Sequence, residues 1–105
     1  MHSSALIQRS SRQVSCPLRD EAAILNMATG MYYGLDAVGA MIWQRIERPA
    51  SFGEVSAALL SEYDVAPASA EQDLDRFVHE LAAAGLVDIK IQNEPVATIP
   101  PSSRT

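Results

Sequence analysis

Few residues in this chain are placed to do covalent chemistry. There are two histidines, His2 and His79. His2 sits in a Ser-rich opening stretch. His79 lies within an amphipathic segment, after Phe77 and Val78 and before Glu80. A general base or a metal ligand needs partners at a matching spacing, and neither ring has them, so His79 reads as a surface or boundary residue. Cys16 is the one thiol. A single cysteine excludes an intrachain disulfide and a cysteine metal cage. In an apolar strand neighbourhood it reads as a buried structural thiol, because a nucleophile needs a base within reach. No phosphate loop, dinucleotide fingerprint or zinc-finger spacing is present. The expectation is therefore a protein that is not an enzyme and uses no metal and no cofactor.

What remains is recognition chemistry. Tyr32 and Tyr33 are neighbours in a candidate strand, so their rings point to opposite faces. One belongs in the core and the other faces solvent, another layer or a partner. Gly34 follows, and a glycine inside a strand marks close approach by another backbone. Met31, Tyr32, Tyr33, Gly34 and Leu35 on an edge strand make a place where a strand from outside can be added. A second candidate is an acidic segment carrying Glu71, Asp73, Asp75 and Glu80 against Arg76. It reads either as a solvated face, with early acids suiting the helix dipole, or as one wall of a binding groove.

The elements that must hold these residues follow from pattern and punctuation. Val14–Leu18, Ala22–Met27 and Met31–Leu35 read as three strands, the last two joined by an Ala28-Thr29-Gly30 turn. Asp36 fits an N-cap for a helix over Ala37–Glu47, with Val38, Met41, Ile42 and Ile46 as its buried stripe and Trp43 beside it. Pro49 ends it. Ser51 with Glu54 is a capping box opening a second helix, Phe52–Tyr63. Ser69 with Gln72 suggests another, opening a third helix over Ala70–Ala84, with Leu74, Phe77, Val78 and Leu81 inward. Gly85 occupies the left-handed position that ends a helix. Leu86–Ile91 alternates toward its end and reads as a final strand. The class is α+β: a winged-helix-like three-helix core, an N-terminal three-stranded antiparallel sheet and a short C-terminal strand. Residues 1–12 read as a disordered arm and residues 93–105, rich in proline and serine, as a loose tail around a domain at 13–92.

The chain has 105 residues, 48% of them apolar, which suits one modest core. Its 13 acids against 8 bases give a net charge of −5. All the acids fall between residues 20 and 94, where four bases oppose them. So acidic a body repels phosphate backbones, which argues against nucleic-acid binding. No apolar run is long enough to span a bilayer, and the lone thiol suits a reducing cytoplasm.

Three blocks in order resemble one family. They are LNMATGMYYGLDAVGAMIW (Leu25–Trp43), EVSAALLSEYDV (Glu54–Val65) and DLDRFVHELAAAGLV (Asp73–Val87). Together they resemble the PqqD-like family, the recognition elements of pathways that modify ribosomally made peptides. The similarity covers about residues 14–91. It departs at Asn26, where the family's turn usually carries an acid, and at Asp36, where asparagine is common. The resemblance implies that the leader of a precursor peptide binds as an added strand beside the third strand, in a groove against the third helix. By position those surfaces are Met31, Tyr32, Tyr33, Gly34 and Leu35, with Asp73, Arg76, Phe77 and Glu80 on the helix. It also implies a modifying enzyme as partner: a leader peptidase with a cyclase in lasso-peptide pathways, or a radical SAM enzyme in pyrroloquinoline quinone synthesis. Cys16-Pro17-Leu18 and the short acid-rich body favour the lasso type.

The rival reading is a winged-helix DNA-binding transcription regulator. Its recognition helix must approach phosphates, and here the third helix carries the wrong sign. An uncovered Met31–Leu35 edge can also pair with its own copy, giving a homodimer that competes with peptide.

Overall fold

The computed structural model describes residues 1–91. In chain order it forms β1 (Leu6–Arg9), β2 (Gln13–Leu18), β3 (Glu21–Asn26), β4 (Tyr32–Leu35), α1 (Ala37–Arg45), β5 (Ala50–Ser51), α2 (Phe52–Glu62), α3 (Pro67–Ala83) and β6 (Val87–Lys90). Two antiparallel three-stranded sheets result, ordered β5-β1-β6 and β2-β3-β4. The α+β class, the three helices, the N-terminal three-stranded sheet and the closing strand agree with expectation. The tail at 93–105 lies outside the described residues.

The opening arm is a correction. Residues 1–12 are not disordered: β1 is the central strand of its sheet, pairing Ile7 with Ile89 on one side and with Ala50 on the other. Ala5 and Ile7 are fully buried. Local sequence hides this, because a four-residue strand shows little periodicity and its partners are far along the chain. Arg9 adds a second anchor. Its guanidinium stacks 4.2 Å from the Trp43 ring centre and donates to the Trp43 carbonyl. Burial lowers the Arg9 pKa, and nearby Glu47 pulls it the other way. The folded unit therefore includes the segment before residue 13.

Local signals fix most element ends. Asp36 Oδ1 accepts from the Gly39 N–H at 2.9 Å, the N-cap of α1. Ser51 and Glu54 form the reciprocal capping box of α2. Gly30 (φ +78°) and Gly85 (φ +76°) take the left-handed conformations expected of them. The start of α3 differs from expectation. It begins at Pro67, with Ala66 at the cap and no side-chain cap bond, so the Ser69–Gln72 box does not open it. Proline suits a first helical position: it has no N–H to leave unpaired and its φ is already helical.

One core joins both sheets to all three helices. Ile7, Ile24, Ile46, Val55, Leu74, Val78 and Leu86 are each less than 2% exposed. Two side chains depart from the expected pattern. Cys16 is exposed rather than buried, because alternation along β2 turns it away from the helices. On α1 the buried set is Gly39, Ala40, Ile42 and Trp43, while Val38 is 38% exposed.

Candidate functional site

Among the described residues β4 is an edge strand, pairing with β3 on one side only. The turn sets which of its backbone groups are free. Asn26 N–H donates to the Met31 carbonyl, so Asn26 and Met31 face each other across the ladder. Antiparallel pairs alternate in their bonding. Ile24–Tyr33 and Ala22–Leu35 therefore exchange backbone bonds, and Tyr32 and Gly34 turn their N–H and C=O groups outward.

The sheet's other edge is blunted by a proline. The Met27 N–H donates to the Arg12 carbonyl, and by the same alternation the outward backbone positions of β2 are Gln13, Ser15 and Pro17. Proline offers no N–H and blunts a strand edge. β4 has no such residue, so this sheet can grow at β4 more readily than at β2.

Beside the outer edge of β4 lies a groove of about 300 Å³. Gly34, Leu35 and Asp36 form one side, and Asp73, Leu74, Arg76 and Phe77 of α3 the other. Val38, Gly39 and Ile42 of α1, with Leu59 of α2, supply the floor. Close packing shapes it: a Cβ on Gly39 would sit 3.2 Å from the Phe77 ring, so glycine there lets the ring lie against α1. Phe77 is half-buried and Val38 exposed, an apolar surface left partly open to solvent. At the rim Arg76 pairs with Asp73 at 3.1 Å, both more than two-thirds exposed. Such a surface pair contributes little to stability and leaves both charges within reach of a ligand.

Gly34, Leu35, Asp73, Arg76 and Phe77 thus converge on the groove. Tyr32 is 73% exposed on the outer face of β4 and Tyr33 packs on the core, the division expected of adjacent strand residues. Met31 is exposed at the turn, before the strand begins. Glu80 is exposed on α3 and does not line the groove. Sequence reasoning missed Asp36, Val38, Gly39, Ile42, Leu59 and Leu74 as groove residues. Their signal was concealed, because an apolar groove floor has the same helical spacing as a core stripe. His79 lies apart from the groove, bonded to the Asp75 carbonyl and 3.2 Å from its carboxylate.

The arrangement offers an open strand edge with donors and acceptors, an apolar trough beside it and opposite charges at the rim. It can hold an extended backbone by main-chain bonds and select its side chains by the trough.

Two solved structures share this fold. TbiB1 in complex with the TbiA(beta) leader peptide is 37% identical, with a TM-score of 0.72, covering 77% of this chain and 94% of that one. A lasso peptide synthetase B1 complexed with its leader peptide is 25% identical, with a TM-score of 0.67, covering 77% and 95%. No curated protein matches the chain. The family model described as coenzyme PQQ synthesis protein D (PqqD) matches residues 21–87. On that match, and on the fold and the open edge just described, the chain belongs to the PqqD family.

Proposed function

We propose that this protein is a non-catalytic adaptor that captures the leader of a ribosomally made precursor peptide and presents it to a maturation enzyme. The leader adds to β4 as a fourth strand and lies in the trough against α3. The observation that carries the reading is the free edge of β4, with Tyr32 and Gly34 turned outward beside an apolar groove. Both similar structures are complexes with leader peptides, and one of them is a lasso peptide synthetase, which favours the lasso type over the quinone type. The bound leader pairs Tyr32 and Gly34 through backbone, while Val38 and Phe77, the open apolar groups of the trough, receive apolar side chains. Asp73 and Arg76 read charge, the former favouring a Lys or Arg and the latter a carboxylate.

A disordered leader loses entropy on ordering, so its net affinity is below what its contacts suggest. The adaptor's contribution is local concentration: it holds the substrate near a leader peptidase, followed by a cyclase. No helix among the described residues is long and apolar enough to cross a membrane, and we place the adaptor in the cytoplasm with those enzymes. The acidic third helix, whose Arg76 already pairs with Asp73, disfavours the DNA-binding reading.

The test is calorimetric titration with a synthetic peptide carrying the leader sequence of a candidate precursor. Micromolar or tighter binding is expected. Absence of binding at hundred-micromolar concentrations would exclude the reading.

A further inference from the structure

The second sheet also has an open edge. Its order is β5-β1-β6, and among the described residues β6 pairs only with β1. The Ser10 N–H donates to the Leu86 carbonyl, and Arg9 faces Val87 next along the ladder. By alternation Leu86, Asp88 and Lys90 turn their backbone groups toward β1, and Val87, Ile89 and Ile91 turn theirs outward. Side chains follow the same parity. Val87 is buried and Ile89 half-buried on the core side, while Asp88 and Lys90 are exposed on the solvent side. Ile91, next in the core-side row, is 62% exposed.

We infer that β6 pairs with β6 of a second copy, joining two three-stranded sheets into one of six strands about a twofold axis. The occupant follows from register, because one antiparallel register makes this edge complementary to itself. Outward residues must oppose outward residues. A dyad through Ile89 sets it against the partner's Ile89, and Val87 against the partner's Ile91, each pair exchanging two main-chain bonds. Asp88 then stands opposite the partner's Lys90, and Lys90 opposite the partner's Asp88. These are the closely spaced positions, where opposite charges on facing strands attract. Moving the dyad to Asp88 or to Lys90 opposes two aspartates or two lysines, which is unfavourable. A lone lysine on an edge strand ordinarily keeps copies apart. Asp88, two positions before Lys90, turns that repulsion into a pair. The same register sets Ile91 beside the partner's Val87 and covers an apolar side chain that a single copy leaves open.

Size sets the strength. Five residues span about 17 Å and a strand is about 5 Å wide, so the contact falls well short of the roughly 800 Å² per partner of a stable interface. A net charge of −5 on each copy also opposes association, although salt screens exposed charges more than about 8 Å apart. The dimer is therefore a weak one, with a dissociation constant between about 10 µM and 1 mM. β4 belongs to the other sheet, so this pairing leaves the guest edge open. On the adaptor reading, one dimer carries two guest strands.

Sedimentation equilibrium of the full chain, from about 5 µM to about 1 mM, measures the pairing. Lys90→Asp alone and Asp88→Lys alone should each weaken dimerisation at least fivefold. Mixed in equal amounts, the two variants should pair with each other within twofold of the unaltered chain, because every facing pair is again of opposite sign. Damage to the fold would not give that rescue. Ile91→Pro removes an outward N–H at an exposed position. It should also weaken the dimer at least fivefold, and it serves if a charge variant unfolds. A chain that stays monomeric at about 1 mM overturns the inference. So do single charge variants that dimerise within twofold of normal, or a mixture that pairs no better than its components. Saturating synthetic leader peptide separates the two edges: a dimer through β6 should persist, whereas a dimer that leader dissolves belongs to β4 and overturns the inference. Failure of leader to bind, read in a separate titration, overturns the adaptor reading instead, and the charge swaps then decide the dimer without it.

Discussion

Asn26 at the end of β3 donates from Nδ2 to the carbonyl of Ala84, at 2.8 Å and across 58 positions of sequence. Ala84 is the C-cap of α3, so the bond satisfies one of the carbonyls a helix end leaves unpaired. The same side chain turns the hairpin: its Oδ1 accepts from the N–H groups of Ala28 and Thr29. Asn26 is 4% exposed, so these bonds are made away from water. They tie the turn before β4 to the end of α3, and β4 and α3 are the two walls of the groove. A family-typical acid here would still accept from the turn, but an ionised carboxylate could not donate to Ala84.

Asn26→Ala should therefore destabilise the fold by about 1–3 kcal/mol, the range for leaving buried hydrogen-bonding groups unpaired. Asn26→Asp should also destabilise at neutral pH, because it loses the donor. Urea unfolding measures both. A loss below about 0.5 kcal/mol for Asn26→Ala would mean the clasp contributes little.

Gly34→Pro should remove leader binding with little change in the urea midpoint. Its N–H faces the open edge rather than β3, so proline here repeats on β4 what Pro17 does on β2. Gly34→Ala is the matched control, since a Cβ there meets no atom within 4 Å. Normal binding by the proline variant would exclude strand addition at this edge.

Ile7→Ala should destabilise by about 2–5 kcal/mol, as expected for emptying a fully buried aliphatic site. Arg9→Ala should also destabilise, by about 1 kcal/mol, through loss of its stacking on Trp43. Thermal unfolding checks both. An unchanged midpoint for Ile7→Ala would return the first residues to a dispensable arm.

Acid should weaken the start of α2. Hydrogen bonds from the Ser51 backbone, then from its side chain, lower the Glu54 pKa in the folded state. A lowered folded pKa gives stability that is present above the unfolded value, about 4.3 for glutamate, and lost as pH falls through the folded value. Glu54→Gln should flatten the acid limb of the stability curve, and Ser51→Ala should cost about 1 kcal/mol at neutral pH. An acid limb unchanged by Glu54→Gln would contradict the assignment.

The parts of this fold governed by neighbouring residues were legible in the sequence. Asp36, Ser51 with Glu54, Gly30 and Gly85 each act within a few positions, and each does what its type predicts. What escaped was set at long range. β1 and β5 are short and become strands only by pairing with each other, and β1 with β6. Cys16 is of a residue type common in cores, but among the described residues no element packs over its side of β2. The groove floor was the least legible part. Val38 and Ile42 share one helical face, and sequence gives no sign that Ile42 is covered while Val38 is left open.

Amide hydrogen exchange, resolved residue by residue with and without leader peptide, tests the central claim most directly. Tyr33 and Leu35 bond to β3 already, so their amides should be protected in both states. The amides of Tyr32 and Gly34 should exchange freely in the unliganded protein and slow at least tenfold when leader binds. Leader binding that leaves Tyr32 and Gly34 exchanging at their free rates, or that protects the outward amide of Ser15 on β2 instead, would contradict it.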